Sequence, residues 1–316
     1  MGRAGWAFVI SSACLVALPP SVAIADGSIK DGPRARYESD SFSASFSIGL
    51  MTGKANEFVY SPTGATVSHL IWTFDNNPVF TGAFAWRPSP WLTLGLNART
   101  LIGKGESTMD DFDFPGAVCG VAGPFCHSHH PNTKVKDADS IDIYAAGTFY
   151  RAHGFAFSGV AGYKWDHYSW GATGGTSNYA PPFPSVPVIS YAQWWEAPYV
   201  GLQTAGHWGP WSFETRVIGS WWVSAHDRDN HHLTTTLFRD EFGNDSSMIA
   251  VNAKIGYALS KNVSVTLSYD YQEWFLAKGP TTATNYTTGA TAVFPGNAAG
   301  ADNYNHTVSA GLKVKF

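Results

Sequence analysis

Apolar and polar residues alternate along most of this chain with a period of two. The clearest run is at the end. Val308, Ala310, Leu312, Val314 and Phe316 fall on one face, and Thr307, Ser309, Gly311, Lys313 and Lys315 on the other. A period of two puts successive side chains on opposite faces of a strand. Comparable runs predict ten strands, over residues 40–58, 66–86, 91–112, 138–151, 154–171, 189–205, 211–228, 247–259, 262–277 and 303–316. Strands of this pattern, the last closing on Phe316, read as those of an outer-membrane barrel. The predicted fold is therefore all-β, a ten-stranded antiparallel transmembrane β-barrel.

The connections alternate between short and long. Arg87-Pro88-Ser89-Pro90, Ala152-His153, Gly206 to Pro210 and Ser260-Lys261 are tight turns. Residues 114–137, 171–188, 229–246 and 277–302 are long and rich in Gly, Pro, Asn and Thr, and are expected as loops. The connection around Ser61-Pro62-Thr63-Gly64 is shorter. Barrels of this class keep short turns in the periplasm and long loops outside. With an even strand count both termini face the periplasm, and the far ends of strands one, three, five, seven and nine are extracellular.

Composition sharpens this picture. Residues 1–25 are expected to be a signal peptide, with Arg3, an apolar stretch and an Ala23-Ile24-Ala25 cleavage site. Residues 26–316 are then the barrel with an extracellular groove. Beyond the leader no apolar run is long enough for a membrane helix. Mean hydropathy is −0.11, as expected when a polar lumen offsets an apolar wall. Aromatics reach 15%, with 13 Trp, enough for girdles at both interfaces. A net charge of −4 offers no basic field for nucleic acid. Cys119 and Cys126 are left in one predicted external loop, where an oxidising compartment favours a disulfide over a metal site.

The candidate chemistry gathers at one end. Asp110-Asp111-Phe112-Asp113 closes strand three, Asp227-Arg228-Asp229-Asn230-His231 closes strand seven, and Glu57 closes strand one. Isolated acids on external loops are ordinarily just solvated. Here two carboxylate pairs and a His share a rim. A His ordered by a carboxylate can deprotonate water, and two crowded carboxylates can hold a shared proton. Alternation behind Leu92, Leu94, Leu96 and Ala98 turns Arg99, Ser107, Asp111 and Asp113 to the lumen. Alternation behind Ala44, Phe46, Ile48 and Leu50 does the same for Glu57. In strand seven, Phe213, Val217, Trp221 and Val223 read as lipid-facing, which would point Asp227, Asp229 and His231 outward. Either a β-bulge resets the register after Val223 or the strand has left the membrane there. The cluster His127, Ser128, His129 and His130 reads as a loop, with no serine-type elbow around Ser128.

The chain resembles the omptin family of outer-membrane aspartyl-type endoproteases. The resemblance rests on Gly53-Lys54 with Glu57 and Val59-Tyr60, and on Val67-Ser68 with Leu70 and Trp72. It continues through Met109 with Asp111-x-Asp113, His130-Pro131 with Thr133, and Pro198-Tyr199 with Gly201-Leu202. Trp222-Val223, Asp227-x-Asp229-x-His231 and Asn303-Tyr304 complete it. By that resemblance Asp229 and His231 activate water opposite Asp111 and Asp113. Glu57 and Asp227 take an Arg or Lys side chain, and Met109 lines the neighbouring pocket. The implied partners are peptides or proteins with basic residues, without nucleic acid, metal or cofactor. Lipopolysaccharide is expected as an activating lipid of the family. Tyr163 matches that lipid site, but His167 and Trp194 stand where basic residues are expected, with Lys164 as a substitute. Weak activation, eased when His167 gains a proton toward pH ~6, is the expectation. The competing functions are a catalytically inactive adhesin or receptor of the same fold and a diffusion porin. A ten-stranded barrel is largely filled by its own side chains, which disfavours the porin.

Overall fold

The computed structural model describes residues 41–316. The expected signal peptide lies outside the described residues. Twelve strand segments run in order among the described residues: β1 (Ser41–Tyr60), β2 (Thr66–Ser89), β3 (Leu92–Leu101), β4 (Gly105–Asp113), β5 (Cys126–Ala152), β6 (Phe155–Ser177), β7 (Phe183–Trp208), β8 (Trp211–His231), β9 (Thr236–Glu241), β10 (Ser246–Ala258), β11 (Val263–Asn285) and β12 (Thr291–Lys315). A 3₁₀ turn, Gly116–Cys119, precedes β5. Each neighbouring pair is antiparallel, and β1 pairs with both β2 and β12, so the sheet closes on itself. Segments β3 and β4 occupy one position in the ring between β2 and β5, and β9 and β10 share another between β8 and β11. The ring therefore has the ten positions expected from the alternation.

The outer wall carries the apolar band. Phe46, Ile48 and Leu50 on β1, Ile141 and Ile143 on β5, and Val200 and Leu202 on β7 are exposed there. Trp91, Trp208, Trp211 and Tyr257 mark one margin, at the end that holds Ser41 and Lys315, and Trp221 and Trp222 mark the other. Inside, polar and charged groups fill the lumen at membrane depth. Arg216 pairs with Asp142 at 2.5 Å and stacks on Tyr144 at 4.4 Å. Arg99 donates to Asn305 Oδ1 at 3.1 Å and to the Tyr168 hydroxyl at 3.0 Å. Most of these charged groups find charged or polar partners across the barrel, and their side chains narrow the lumen.

Two expectations change. The tight turns stand where alternation puts them, and His153 and Gly154 turn the chain with φ of 52° and 85°. The long connections, however, are mostly strand. β5 begins at Cys126, β6 runs to Ser177, β11 to Asn285, and β12 starts at Thr291. A tilted strand needs only about ten residues to cross a bilayer, whereas β5 has 27 and β7 has 26. The barrel wall thus continues beyond the apolar band, away from the end that holds Ser41 and Lys315. Its composition there looks like loop because both faces meet water or polar neighbours, yet its backbone groups still pair between strands. The predicted third strand is also interrupted. Gly103 takes a φ of 76° between β3 and β4, and Gly105 packs so close to the Asn77 side chain that a Cβ would meet it at 2.2 Å.

Candidate active site

The site lies on the strand extensions beyond the Trp221–Trp222 margin. Its geometry depends first on β8. Ile218 and Ser220 are buried before the margin, and Val223, Ala225, Asp227 and Asp229 after it, so inward-facing parity switches from even to odd. The ladders locate the switch. Between Ser220 and Val223, β8 has one residue more than β10 opposite, and the same surplus appears against β7 between Glu196 and Val200. Trp221 and Trp222 both face outward, at 72% and 69% exposure. This is a β-bulge, and the Trp222 amide it frees donates to the Ser220 hydroxyl at 3.0 Å. The reset falls before Val223, which is buried in the lumen and not lipid-facing. Asp227, Asp229 and His231 consequently turn inward.

His231 Nε2 hydrogen-bonds the Asp229 carboxylate two residues back on the same face. The carboxylate can only accept, so Nε2 holds the proton and Nδ1 is left as the basic nitrogen. Burial lowers the basicity of His231, but Asp229, with Asp111 and Asp113, more than offsets it, and the net pKa is above the usual 6.5. Asp111 and Asp113 close β4, and both are reached by the charge of His231. Burial first, then Asp113, pushes Asp111 up to about 7. Asp113 is raised as well, again by burial. The Ser68 hydroxyl reaches Asp111 Oδ1 at 3.4 Å from β2. Two carboxylates with raised pKa values, Asp111 near neutrality, thus lie within electrostatic reach of a carboxylate-ordered imidazole.

Beneath them is a buried cluster of acids. Glu57 and Asp227 are enclosed, and each keeps one carboxylate oxygen without a hydrogen-bond partner. Burial raises both pKa values well above normal. For Glu57 the charges of Asp229 and Asp227 add to it, and for Asp227 that of Asp240. The Tyr191 hydroxyl donates to Asp227 Oδ2 at 2.8 Å. Gln193 Nε2 in turn donates to Tyr191 at 2.9 Å, while Trp195 and Asn303 donate to Gln193 Oε1 at 3.1 and 3.2 Å. The ring of Trp72 stacks on Tyr191 at 5.3 Å. This platform locks the pocket floor. Met109 is opposite Trp72 on one side and His130 on the other, fully enclosed.

The histidine cluster is strand, not loop, and splits by parity. His127 and His129 face outward and share Asp110 Oδ1 at 2.9 and 2.8 Å. Ser128 and His130 face inward, with Ser128 Oγ 2.9 Å from His130 Nε2. His130 Nδ1 bonds the Gly174 carbonyl instead of a carboxylate, and both residues are enclosed, so this pair is not arranged as a serine nucleophile and its base. Cys119 and Cys126 form a disulfide.

Outside the margin, Tyr163 is exposed and donates to Glu196 at 2.7 Å. Lys164 points the other way. It is buried in the lumen, donating to Ser140 at 2.9 Å and pairing with Asp166 at 3.3 Å, and so it cannot serve an outer-wall lipid site. His167, Trp194 and His226 stack in a row, with Arg228 5.6 Å above Trp194. Burial, the largest influence, lowers the His167 pKa below the usual 6.5, so the ring is held toward its neutral form. Alternation did not single out Asp240, Tyr191, Gln193 or Ser68. Asp240 sits in a segment read as loop, and the others carry no spacing signal.

The profile of the omptin family matches residues 38–316. The chain belongs to the omptin family. It is 33% identical to the plasminogen activator of Yersinia pestis over 287 residues, covering 88% of this chain and 90% of the relative. Its identity to the outer membrane protease OmpP of Escherichia coli K12 is 31%, over 88% of this chain and 91% of that one. Among solved structures, the outer membrane protease OmpT of Escherichia coli superposes with a TM-score of 0.82 at 26% identity, covering 89% of this chain and 99% of that one. As an omptin with this barrel, the chain is an outer-membrane protease.

Proposed function

We propose that this omptin is an endopeptidase that opens to the cell exterior and cleaves peptides at Arg or Lys through an activated water. The carrying observation is the Asp229–His231 couple facing the Asp111–Asp113 couple above a buried acidic pocket. A water between the couples gives a proton to His231 Nδ1 as its oxygen bonds the peptide carbonyl carbon. Asp229 stabilises the imidazolium that forms. Asp111, pushed up to about 7 by burial and by Asp113, carries a proton that it gives to the carbonyl oxygen as that oxygen gains charge. The imidazolium then protonates the leaving amine, and the C–N bond breaks as the carbonyl re-forms and its proton returns to the Asp111–Asp113 couple. This reaction uses no covalent intermediate and no metal or cofactor.

Glu57 and Asp227 receive the cationic side chain at the cleavage point, and Met109 backs the neighbouring subsite. The tight turns lie at the end that holds Ser41 and Lys315, so the usual arrangement of such barrels turns the site outward from the cell. Lipopolysaccharide is the proposed activating lipid, met on the outer wall by Arg228 and its neighbours instead of Lys164.

A fluorogenic peptide containing Arg-Arg, given to refolded protein with and without lipopolysaccharide, tests the assignment. Cleavage is expected, and a peptide with neutral residues in place of both Arg should be spared. No cleavage by folded protein in either condition would leave the inactive adhesin or receptor as the better reading.

A further inference from the structure

Asp240 lies on β9, directly across the β8–β9 ladder from Asp227 and across the β9–β11 ladder from Thr281. Its neighbours Arg239 and Glu241 are exposed, so alternation turns Asp240 inward, where it is only 4% exposed. Asp240 Oδ1 has no hydrogen-bond partner, and neither have Asp227 Oδ1 and Glu57 Oε2. Three acids from β1, β8 and β9 are therefore buried together, and Asp227 and Asp240 lie close enough to act on each other through a shared side-chain hydrogen bond as well as by charge. The cations of the surrounding strands do not enter it, since Arg228, Arg239 and Lys278 are exposed. Three buried acids with so few donors among them are costly to a fold, and a cationic guest that supplies the missing donors explains the arrangement. Burial pushes Asp240 up to about 6, consistent with a group waiting for a cation.

We propose that Asp240 is a third carboxylate of the pocket for the substrate's basic side chain, and that it makes the pocket favour Arg over Lys. This rests on the assignment of Glu57 and Asp227 to that pocket. A guanidinium spreads five N–H donors around the edge of a plane and can reach three oxygens held apart. An ammonium carries its three donors on one atom, so binding all three carboxylates would draw like charges together around it. The third acid thus adds more to the wider cation.

The test uses full-length refolded protein and three peptides that differ only in having Arg, Lys or citrulline before the scissile bond. Wild type should cleave the Arg peptide best and the neutral citrulline peptide worst. Asp240→Asn should raise KM for the Arg peptide by about 10-fold, as loss of a charge-assisted contact does, and should lower the Arg-to-Lys ratio of kcat/KM. Asp240→Ser serves if the Asn variant does not fold, judged by the heat-dependent gel mobility of barrels. A folded variant with unchanged KM for Arg, or an unchanged Arg-to-Lys ratio, overturns the role of Asp240. Wild type that cleaves the citrulline peptide as well as the Arg peptide instead overturns the pocket assignment, and Asp240 falls with it.

Discussion

The Trp222 amide donates to the Ser220 hydroxyl at 3.0 Å, inside the one-residue bulge that turns Asp227, Asp229 and His231 into the barrel. Removing one residue there restores strict alternation, and alternation sends every later side chain of β8 to the opposite face. Deleting Trp222 should leave a barrel that still inserts, because the apolar band is untouched, and should abolish turnover. Peptide hydrolysis by the folded deletion variant at more than a few per cent of wild type would show that β8 does not position the site in this way.

The catalytic couples should be individually indispensable. Asp229→Ala, His231→Ala, Asp111→Ala and Asp113→Ala are each expected to lower kcat by at least about 100-fold in protein that still folds, as loss of a general acid or base does. Near-normal turnover in folded His231→Ala would exclude the water-activation mechanism.

The pH profile follows from the His231–Asp229 pair. His231 accepts a proton only when neutral, so kcat/KM should rise with pH through the His231 pKa, above 6.5. Asp229 is the main group holding that pKa up, so Asp229→Asn should move the rising limb to lower pH. Residual activity of the Asn variant, followed from pH 5 to 9, measures this, and an unmoved limb would assign the ionisation to another group.

The acidic pocket should cost the empty barrel stability. Asp240 titrates near 3.8 when unfolded and near 6 when folded, so the folded state binds more protons between those values. Its contribution is favourable below about pH 4 and is lost as pH rises through about 6. Asp240→Asn should therefore stabilise the barrel by about 1–3 kcal/mol at pH 8 and have little effect at pH 4. Urea unfolding in detergent micelles at the two pH values gives both numbers, and equal stability of variant and wild type at pH 8 would mean the carboxylate is hydrated.

On the outer wall, Arg228 lies directly opposite Arg239, and both are exposed. Like charges so placed repel unless an anion lies between them. A double Arg228→Ala, Arg239→Ala variant should need at least about 10-fold more lipopolysaccharide for half-maximal activation, each phosphate contact being charge-assisted. Titration with purified lipid reads the shift directly, and an unchanged midpoint would move the lipid contact elsewhere.

Alternation along the chain was enough to place the ten wall positions, the tight turns and the inward direction of Glu57, Asp111 and Asp113. It was enough because facing is a local property of a strand, repeated every two residues. The Asp-x-Asp and Asp-x-His pairs were legible for the same reason, since residues two apart share a face. Tertiary structure alone decided the rest. The bulge at Trp221 and Trp222 exists only relative to the ladders of β7 and β10, so Val223 could not be assigned from β8 itself. The segment holding Asp240 looks like loop until β8 and β11 pair with it, and only that pairing brings its carboxylate opposite Asp227. Lys164 and the His127–His130 cluster were likewise settled by which side of the wall the neighbouring strands left to them. A period belongs to one strand, whereas register, burial and the pKa of a carboxylate belong to the strands around it.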